Sequence, residues 1–372
     1  MKVALVYDRV NKWGGAERVL LALHELFPEA PLYTSVFNSN TAPWTRVFRQ
    51  IYSSFLQKVP GAAKRHELFP FLMPIAFETF DFSNYQLVIS VTSEAAKGII
   101  TCPGTYHLCY LLTPTRYLWS GYDEYFNNSL KRFASRPIVS YLRSWDLMAS
   151  HRPDKIISIS QEVAKRTREY YGIKSDVIYP PVNTDRYSKK ITNWRVKSKL
   201  EKNGIAWGQY FLVVGRLVSY KKTDLVIEAF NQLKRPLVVI GIGSEQKKLQ
   251  NKAGKNIYFT GAVTEQDLSF YYQGAKALIF PQSEDFGIVA VEAQAAGKPV
   301  IAYRAGGALE TVVENKTGIF FDSQTVNSLK GALMSFDPAN FKREDCIANA
   351  QRFTKEKFLM DFGKLTKDLI AL

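Results

Sequence analysis

The sequence predicts an α/β protein built of two doubly wound domains, and three observations carry that prediction. The chain has 372 residues, more than one hydrophobic core ordinarily serves. Its hydrophobic content is 46% against 22% charged, the balance of a globular chain and not of a disordered one. Short apolar, β-branched runs alternate with stretches of helical spacing, in a series that stops near residue 180 and restarts near 210.

The first series reads as strands at VALVY (3–7), YTSVF (33–37), LVISV (87–91), LCYLL (108–112), KIISIS (155–160) and DVIYP (176–180), each bounded by turn or polar residues. Helical spacing lies between several of them, as in AERVLLALHELF (16–27) and QEVAKRTREYY (161–171). YPPVNTDRY (179–187) is turn-like, and a basic stretch of low periodicity follows to about residue 207. The second series then gives YFLVVG (210–215), PLVVIG (236–241), NIYFTG (256–261), ALIFP (277–281) and PVIAY (299–303), with helices expected at 224–233 and 264–275. The expected division is 1–180, 181–352 and a closing helical segment at 353–372. Two such domains imply a crevice between them, and open α/β sheets bind ligands beyond the carboxyl ends of their strands.

Composition narrows the function. A formal net charge of +15 suits an anionic partner: nucleic acid, anionic membrane or a phosphorylated substrate. No zinc-finger spacing or aromatic ribonucleoprotein motif occurs, so no nucleic-acid partner is expected. Residues 46–74, RVFRQIYSSFLQKVPGAAKRHELFPFLMP, mix five basic residues with large apolar ones around one acid. Two readings stand there: an interfacial segment on anionic lipid, or a solvated basic face over a core helix. No apolar run approaches the roughly 20 residues of a membrane-spanning helix, and MKVALVYD reads as a first strand, not a secretory signal. Cys102, Cys109 and Cys346 are odd in number and lack metal-ligand spacing; free thiols in a reducing, cytoplasmic setting are expected.

Three motifs carry chemistry. In DRVNKWGGAERVL, Gly14 and Gly15 close a loop and open a helix; they either admit an anion to backbone amides or make a plain strand–helix turn. In VVGRLVSYKK (213–222), Arg216, Lys221 and Lys222 follow the first strand of the second series, where cations would meet a diphosphate. In EDFGIVAVEAQAAGKPV (284–300), Glu284 lies in a loop and Glu292 inside a helix stopped by Gly297 and Pro299. The amides near Phe286, Gly287 and Ile288 then form a helix N-terminus able to take phosphate. Farther back, TPTRYLWSGYDEYF (113–126) offers Arg116, Tyr117 and Trp119 to stack a sugar or meet a phosphate, or else packs as an aromatic surface loop.

Taken together, E-x7-E after a strand and loop, GRL-x-x-x-K about 65 residues before it, and a glycine-rich first loop resemble the family 4 retaining glycosyltransferases of the GT-B fold: two Rossmann-like domains facing a crevice. GIGSE (241–245), FTGAV (259–263) and RAGGALETVVENKTG (304–318) agree with that resemblance, which covers nearly the whole chain. The subgroup most resembled adds bacterial polysaccharide sugars, often mannose, to lipid-linked acceptors. The resemblance implies a donor site with Arg216 and Lys221 on the diphosphate, Glu284 on the transferred sugar and Glu292 on the ribose. It also places Gly14, Gly15, Gly241, Val263, Phe286, Gly287, Ile288 and Val289 at the donor, with Arg116, Tyr117 and Trp119 on the acceptor side. It implies GDP-mannose as the donor and substrate, no cofactor, and the closing helix packed back on the first domain. No D-x-D occurs, in keeping with a metal-independent site in which cations replace a divalent ion.

One departure stands out. The subgroup carries a histidine before Thr-Pro of H-T-P-x-R-Y, where this chain has Leu112, and another before A-K-G, where Ser93 and Glu94 stand. His107, inside a strand, reads as a packed histidine. The acceptor side is therefore where this chain is expected to differ.

Overall fold

The computed structural model describes residues 1–126 and 128–370. The chain forms two compact units. Unit 1 is Met1–Pro181 with the chain from Phe358 onward; unit 2 is Val182–Lys357.

Unit 1 holds a seven-stranded parallel sheet: β1 (Val3–Tyr7), β2 (Leu32–Thr34), β3 (Ile51–Ser53), β4 (Leu87–Thr92), β5 (Tyr106–Leu111), β6 (Lys155–Ser158) and β7 (Asp176–Val177). Their order is β3-β2-β1-β4-β5-β6-β7, so the winding reverses between β1 and β4. Both central strands are buried along their whole length, which is why their sequences run nearly continuously apolar. Ser160 caps the helix Gln161–Tyr171 by accepting from the Val163 amide, and Gly172 ends it in the left-handed region (φ 72°). The closing helix Lys355–Ile370 sets Phe358 and Phe362 edge-on to Tyr110 of β5, at centroid distances of 5.7 and 6.0 Å. Residues 371–372 of that expected segment lie outside the described residues.

Unit 2 holds β8 (Tyr210–Val214), β9 (Leu237–Ile240), β10 (Ile257–Gly261), β11 (Ala275–Phe280), β12 (Val300–Tyr303) and β13 (Gly318–Phe321), ordered β10-β9-β8-β11-β12-β13. All neighbours are parallel, and the reversal falls between β8 and β11. A continuous core of β8, β9 and β11 side chains packs on the helix Thr223–Leu233 through Val226, Ile227 and Phe230. The chain enters and leaves this unit at one place, where the Val182 amide bonds to Phe353 and the Lys355 amide bonds back to Val182.

The two-sheet α/β architecture is the one expected, with local differences. β2 ends at Thr34, and Phe37 keeps only an isolated bridge to Val10. The strands β3 and β13 were not expected; β3 is an edge strand of three residues, largely exposed. The segment 46–74 is no core helix but an edge strand among short 3₁₀ turns. The low-periodicity stretch before 207 contains the helix Trp194–Lys202, whose two buried residues, Val196 and Leu200, give it almost no apolar stripe to read. A 22-residue helix, Ser129–Ser150, also went unread; Pro137 lies inside it, and Phe133, Ile138, Tyr141 and Met148 lie exposed where polar residues are usual.

Candidate active site

In unit 2 the loops leaving β8, β9 and β10 lie backbone to backbone. Gly215 follows β8 and its amide bonds to Ile240; Gly241 follows β9 with φ 133° and its amide bonds to Gly261. A Cβ on Gly241 would sit 1.9 Å from the Gly215 carbonyl oxygen, so no other residue fits. That close stacking brings the next residue, Arg216, to the carboxyl end of the sheet, where its Nη2 donates to the Tyr220 hydroxyl at 2.9 Å and its side chain stays exposed. Val263, after β10, is half-buried.

Lys221 closes a 3₁₀ turn, and its ammonium forms an ion pair with Glu284, which follows β11. The pair therefore spans the two central strands of the sheet. Both side chains are about five-sixths buried, at 16% and 17% exposure, leaving an edge open to solvent. Gln282 Nε2 donates to Glu284 Oε1 at 3.2 Å. The main chain of this loop is fixed by the glycine pair of RAGG: the Gly307 amide bonds to the Glu284 carbonyl at 2.8 Å, and a Cβ on Gly307 would lie 2.3 Å from Phe286 Cα. Gly287 (φ 92°) then starts the helix Ile288–Ala295 without a side-chain cap, so its first amides are not taken by a capping oxygen.

Several expected site residues take other places. Phe286 is buried, and its ring packs on Phe353 at 5.3 Å. Ile288 and Val289 are half-buried in the first turn. Glu292 is buried, 2% exposed, and each of its oxygens accepts a tyrosine hydroxyl at 2.9 Å: Oε1 from Tyr187 and Oε2 from Tyr272. The two rings meet edge-to-face at 5.5 Å. A carboxylate has further lone pairs beyond those two bonds. The small residues Ala290, Ala293, Ala295 and Ala296 are fully buried and let the neighbouring helices approach.

In unit 1, Gly14 caps and Gly15 begins the helix Gly15–Leu26. The first turn holds Glu17, which is buried, accepts from Tyr7 at 2.8 Å, and lies 3.1 Å from where a Gly14 Cβ would be. A carboxylate there works against the diphosphate contact expected of the glycine pair. Trp119 also departs from expectation. Its ring stacks on Tyr170 at 5.3 Å, its Nε1 donates to Asp146 at 2.8 Å, and the Arg143 guanidinium lies 5.6 Å from its ring. The indole is half-buried and packs within unit 1. Arg116 and Tyr117 are half-buried, and the Tyr117 hydroxyl donates to Glu94 at 3.2 Å. His107 is fully buried, shares a hydrogen bond with Ser90 at 2.8 Å, and burial pushes its pKa down to about 3.

Sequence reasoning missed the acid that organises unit 1. Asp8, directly after β1, takes the Thr92 hydroxyl and the amides of Ser93, Ala95 and Ala96 at 2.7–2.9 Å. It thereby ties the β1 loop to the β4 loop. Its signal was present, an acid closing an apolar strand, but VALVYD reads as well as a strand followed by any turn residue. A second buried network joins Lys97 to Asp146 at 2.5 Å, with Tyr171 donating to the same carboxylate at 2.6 Å. Among the described residues no group of three or more His, Cys, Asp or Glu is placed to hold a metal ion. The described thiols are free, with Cys109 and Cys346 buried and their pKa pushed up to about 12 by burial. No helix among the described residues is long and apolar enough to cross a membrane.

Two family models divide the chain. The one described as Glycosyltransferase Family 4 matches residues 13–186, and the one described as Glycosyl transferases group 1 matches residues 190–353. This chain belongs to the family 4 glycosyltransferases. Relatives of this glycosyltransferase include the uncharacterized glycosyltransferase MJ1178 of Methanocaldococcus jannaschii, 29% identical over 59% of this chain and 61% of that one. A GDP-mannose-dependent alpha-(1-6)-phosphatidylinositol monomannoside mannosyltransferase of Mycolicibacterium smegmatis is 28% identical over 48% of this chain and 52% of that one. The chain thus spans only about half to three-fifths of the length of these curated relatives. Among solved structures, Anabaena HepE in complex with UDP superposes over 100% of both chains with a TM-score of 0.72 at 18% identity. That likeness identifies the fold of this glycosyltransferase as GT-B.

Proposed function

We propose that this enzyme is a metal-independent, retaining hexosyltransferase that moves mannose from GDP-mannose to a lipid-linked glycan in polysaccharide or O-antigen biosynthesis. The observation that carries the reading is the Lys221–Glu284 pair at the β8–β11 reversal, with Arg216 beside it on the same loop. Lys221 and Arg216 would hold the donor diphosphate and stabilise the charge that grows on it as the sugar leaves. Preorganised cations and the amides at Gly287 do this best where water is scarce. Glu284 would shed part of its hold on Lys221 to meet the hydroxyls of the transferred sugar. Glu292 would hold the ribose, oriented by Tyr187 and Tyr272. Acceptor attack would come from the face the diphosphate leaves, with retention.

The GDP-mannose donor is supported by curated relatives whose names state that dependence, at 28–31% identity. A second reading, a UDP-sugar donor with a soluble acceptor, is favoured by HepE, which was solved with UDP and with UDP-glucose. Thermal shift across GDP-, UDP- and dTDP-sugars separates the two, because a ligand bound to the folded state raises apparent stability with occupancy. GDP and GDP-mannose are expected to raise the melting temperature most; a larger shift with UDP-glucose would overturn the mannose reading.

An inner-membrane setting fits the basic segment. Arg46, Arg49, Lys58, Lys64 and Arg65 are all exposed, beside exposed Val47, Tyr52, Phe55, Leu68 and Phe71. Cations with large apolar side chains are the composition of a surface that sits on anionic lipid.

A further inference from the structure

A helix on the surface of a soluble chain ordinarily turns its charged residues to water. The helix Ser129–Ser150 of unit 1 does the reverse. Its inner side, Val139, Leu142, Trp145 and Ala149, is buried against the unit. At about 100° per residue, the opposite side carries Phe133, Tyr141, Leu147 and Met148. These four are 41–70% exposed, and the small residues between them are exposed too. No charge points outward among them. From Phe133 to Met148 the charged residues are Arg136, Arg143 and Asp146. Arg136 and Arg143 lie along one edge, where Arg143 reaches inward to the Leu118 carbonyl at 2.7 Å. Asp146 is buried.

Charge narrows what can cover this side. A net charge of +15 makes two copies of the chain repel, so they close only where neither presents its cations. An acidic partner or an anionic bilayer would be held by cations, and this side offers none. Composition agrees: the centres of protein–protein interfaces are rich in aromatic residues and Met and poor in Lys, Glu and Asp. Shape then selects a second copy. Turned antiparallel about a twofold axis at Ser140–Tyr141, two such helices set Tyr141 against Ser140, Leu147 against Ala134, and Phe133 against Met148. A large side chain meets a small one in the first two pairs, and a thioether meets a ring in the third. Symmetry makes each contact twice, as a self-complementary interface requires.

We propose that the outward side of the helix Ser129–Ser150 is a homodimer interface, in which two copies of the chain pair this helix antiparallel across a twofold axis. One helix face per copy falls short of the roughly 20–30 residues a side of a standard interface, so the dimer is weak, with a Kd on the order of 10 µM. The interface does not depend on which donor or acceptor the enzyme uses.

Sedimentation velocity of the full chain tests it, from about 1 to 200 µM to bracket that Kd, in about 0.3 M NaCl to screen the net charge. Monomer is expected at the low end and dimer at the high end; monomer throughout overturns the interface. Tyr141→Glu puts an acid of each copy at the axis and should weaken the dimer at least about tenfold, with the melting temperature unmoved because the side chain is exposed. A dimer that persists in this variant overturns the proposal. If Tyr141→Glu does not fold, Ser144→Lys takes its place and must weaken the dimer likewise. Cross-linking checks the geometry, with the exposed Cys102 first removed by Cys102→Ser. Ser140→Cys, beside the axis, should join its own copy by a disulfide under mild oxidation. Phe133→Cys should not, since antiparallel pairing holds the two copies of that position roughly 22 Å apart. The opposite result overturns the pairing. Binding to phosphatidylglycerol vesicles that Tyr141→Glu abolishes would give this side to lipid and overturn the dimer.

Discussion

Unit 1 and unit 2 reverse their winding in the same way, and at each reversal a base and an acid from the loops beyond the central strands meet: Arg9 with Glu94, and Lys221 with Glu284. The surroundings differ in sign. In unit 2 the stretch supplies Arg216, Lys221 and Lys222 against Glu284 and Asp285, with uncapped helix amides at Gly287. Around the β1–β4 loops Asp8, Glu17, Glu67 and Glu94 stand against Arg9, Lys12 and Lys97, and the helix after the glycine pair has Glu17 buried in its first turn. Topology places a cleft beyond each reversal, and the charge around it is what an entering ligand would meet.

The largest effect should come from removing the cations of unit 2. Arg216→Ala and Lys221→Ala are each expected to lower kcat by about 10²–10³-fold, roughly 3–4 kcal/mol of lost transition-state stabilisation. Steady-state kinetics with GDP-mannose would read it. Near-normal turnover in either variant would remove that residue from the clamp and, with it, the contrast in charge between the two clefts.

Acid should separate the units next. All four histidines, His24, His66, His107 and His151, lie in unit 1. Burial pushes His107 down to about 3, and burial with Arg9 pushes His66 down to about 4. The unfolded chain therefore binds these protons first as pH falls, so their contribution is whole above about 6.5 and lost between 6.5 and those values. For His107 the slope is about 1.4 kcal/mol per pH unit; His66, whose pKa falls less far, contributes over a narrower window. Hydrogen exchange at pH 7 and pH 5 is expected to show unit 1 losing protection ahead of unit 2, and His107→Gln should flatten that loss. Equal loss in both units would defeat the prediction.

A smaller effect tests the depth of the donor side. Tyr272→Phe removes one of two hydroxyls from buried Glu292, expected to cost about 1–3 kcal/mol of stability. If Glu292 holds the ribose, the variant should also narrow the preference for GDP over 3′-deoxy-GDP in calorimetric titration. A lower melting temperature with that preference intact would make Glu292 a packing residue of unit 2 alone.

The strands that carry these sites were readable because parallel strands buried on both faces must be apolar throughout, as VALVY, LVISV and YFLVV are. Arg216, Lys221 and Glu284 were readable because each follows such a strand. The edge strand β3 was not, since its three largely exposed residues, IYS, carry no such run, and β13, GIFF, offers only three apolar residues behind a glycine. Glu94 was noticed only as the wrong residue at a histidine's place, and Tyr187 and Tyr272 not at all, because their partnership with Glu292 spans 105 and 20 residues and leaves no local pattern. The stacking of Trp119 on Tyr170 left no local pattern either, since 51 positions separate the two rings.

The smallest single effect concerns a surface of unit 1 that neither cleft explains. Segment 46–74 exposes its five cations, although Arg49 is paired with Glu29. The sheet does not need those charges, since the apolar anchors Phe48, Leu56 and Met73 are buried beneath them. If the segment lies on anionic lipid, each cation near the surface contributes about 1 kcal/mol, so Lys58→Gln or Lys64→Gln should weaken vesicle binding about fivefold. Flotation with phosphatidylglycerol vesicles at low salt reads the loss, and added salt should erase it because the attraction falls off within a Debye length. The melting temperature should not move, as neither side chain is buried. Unaltered flotation in both variants would return this face to plain solvation.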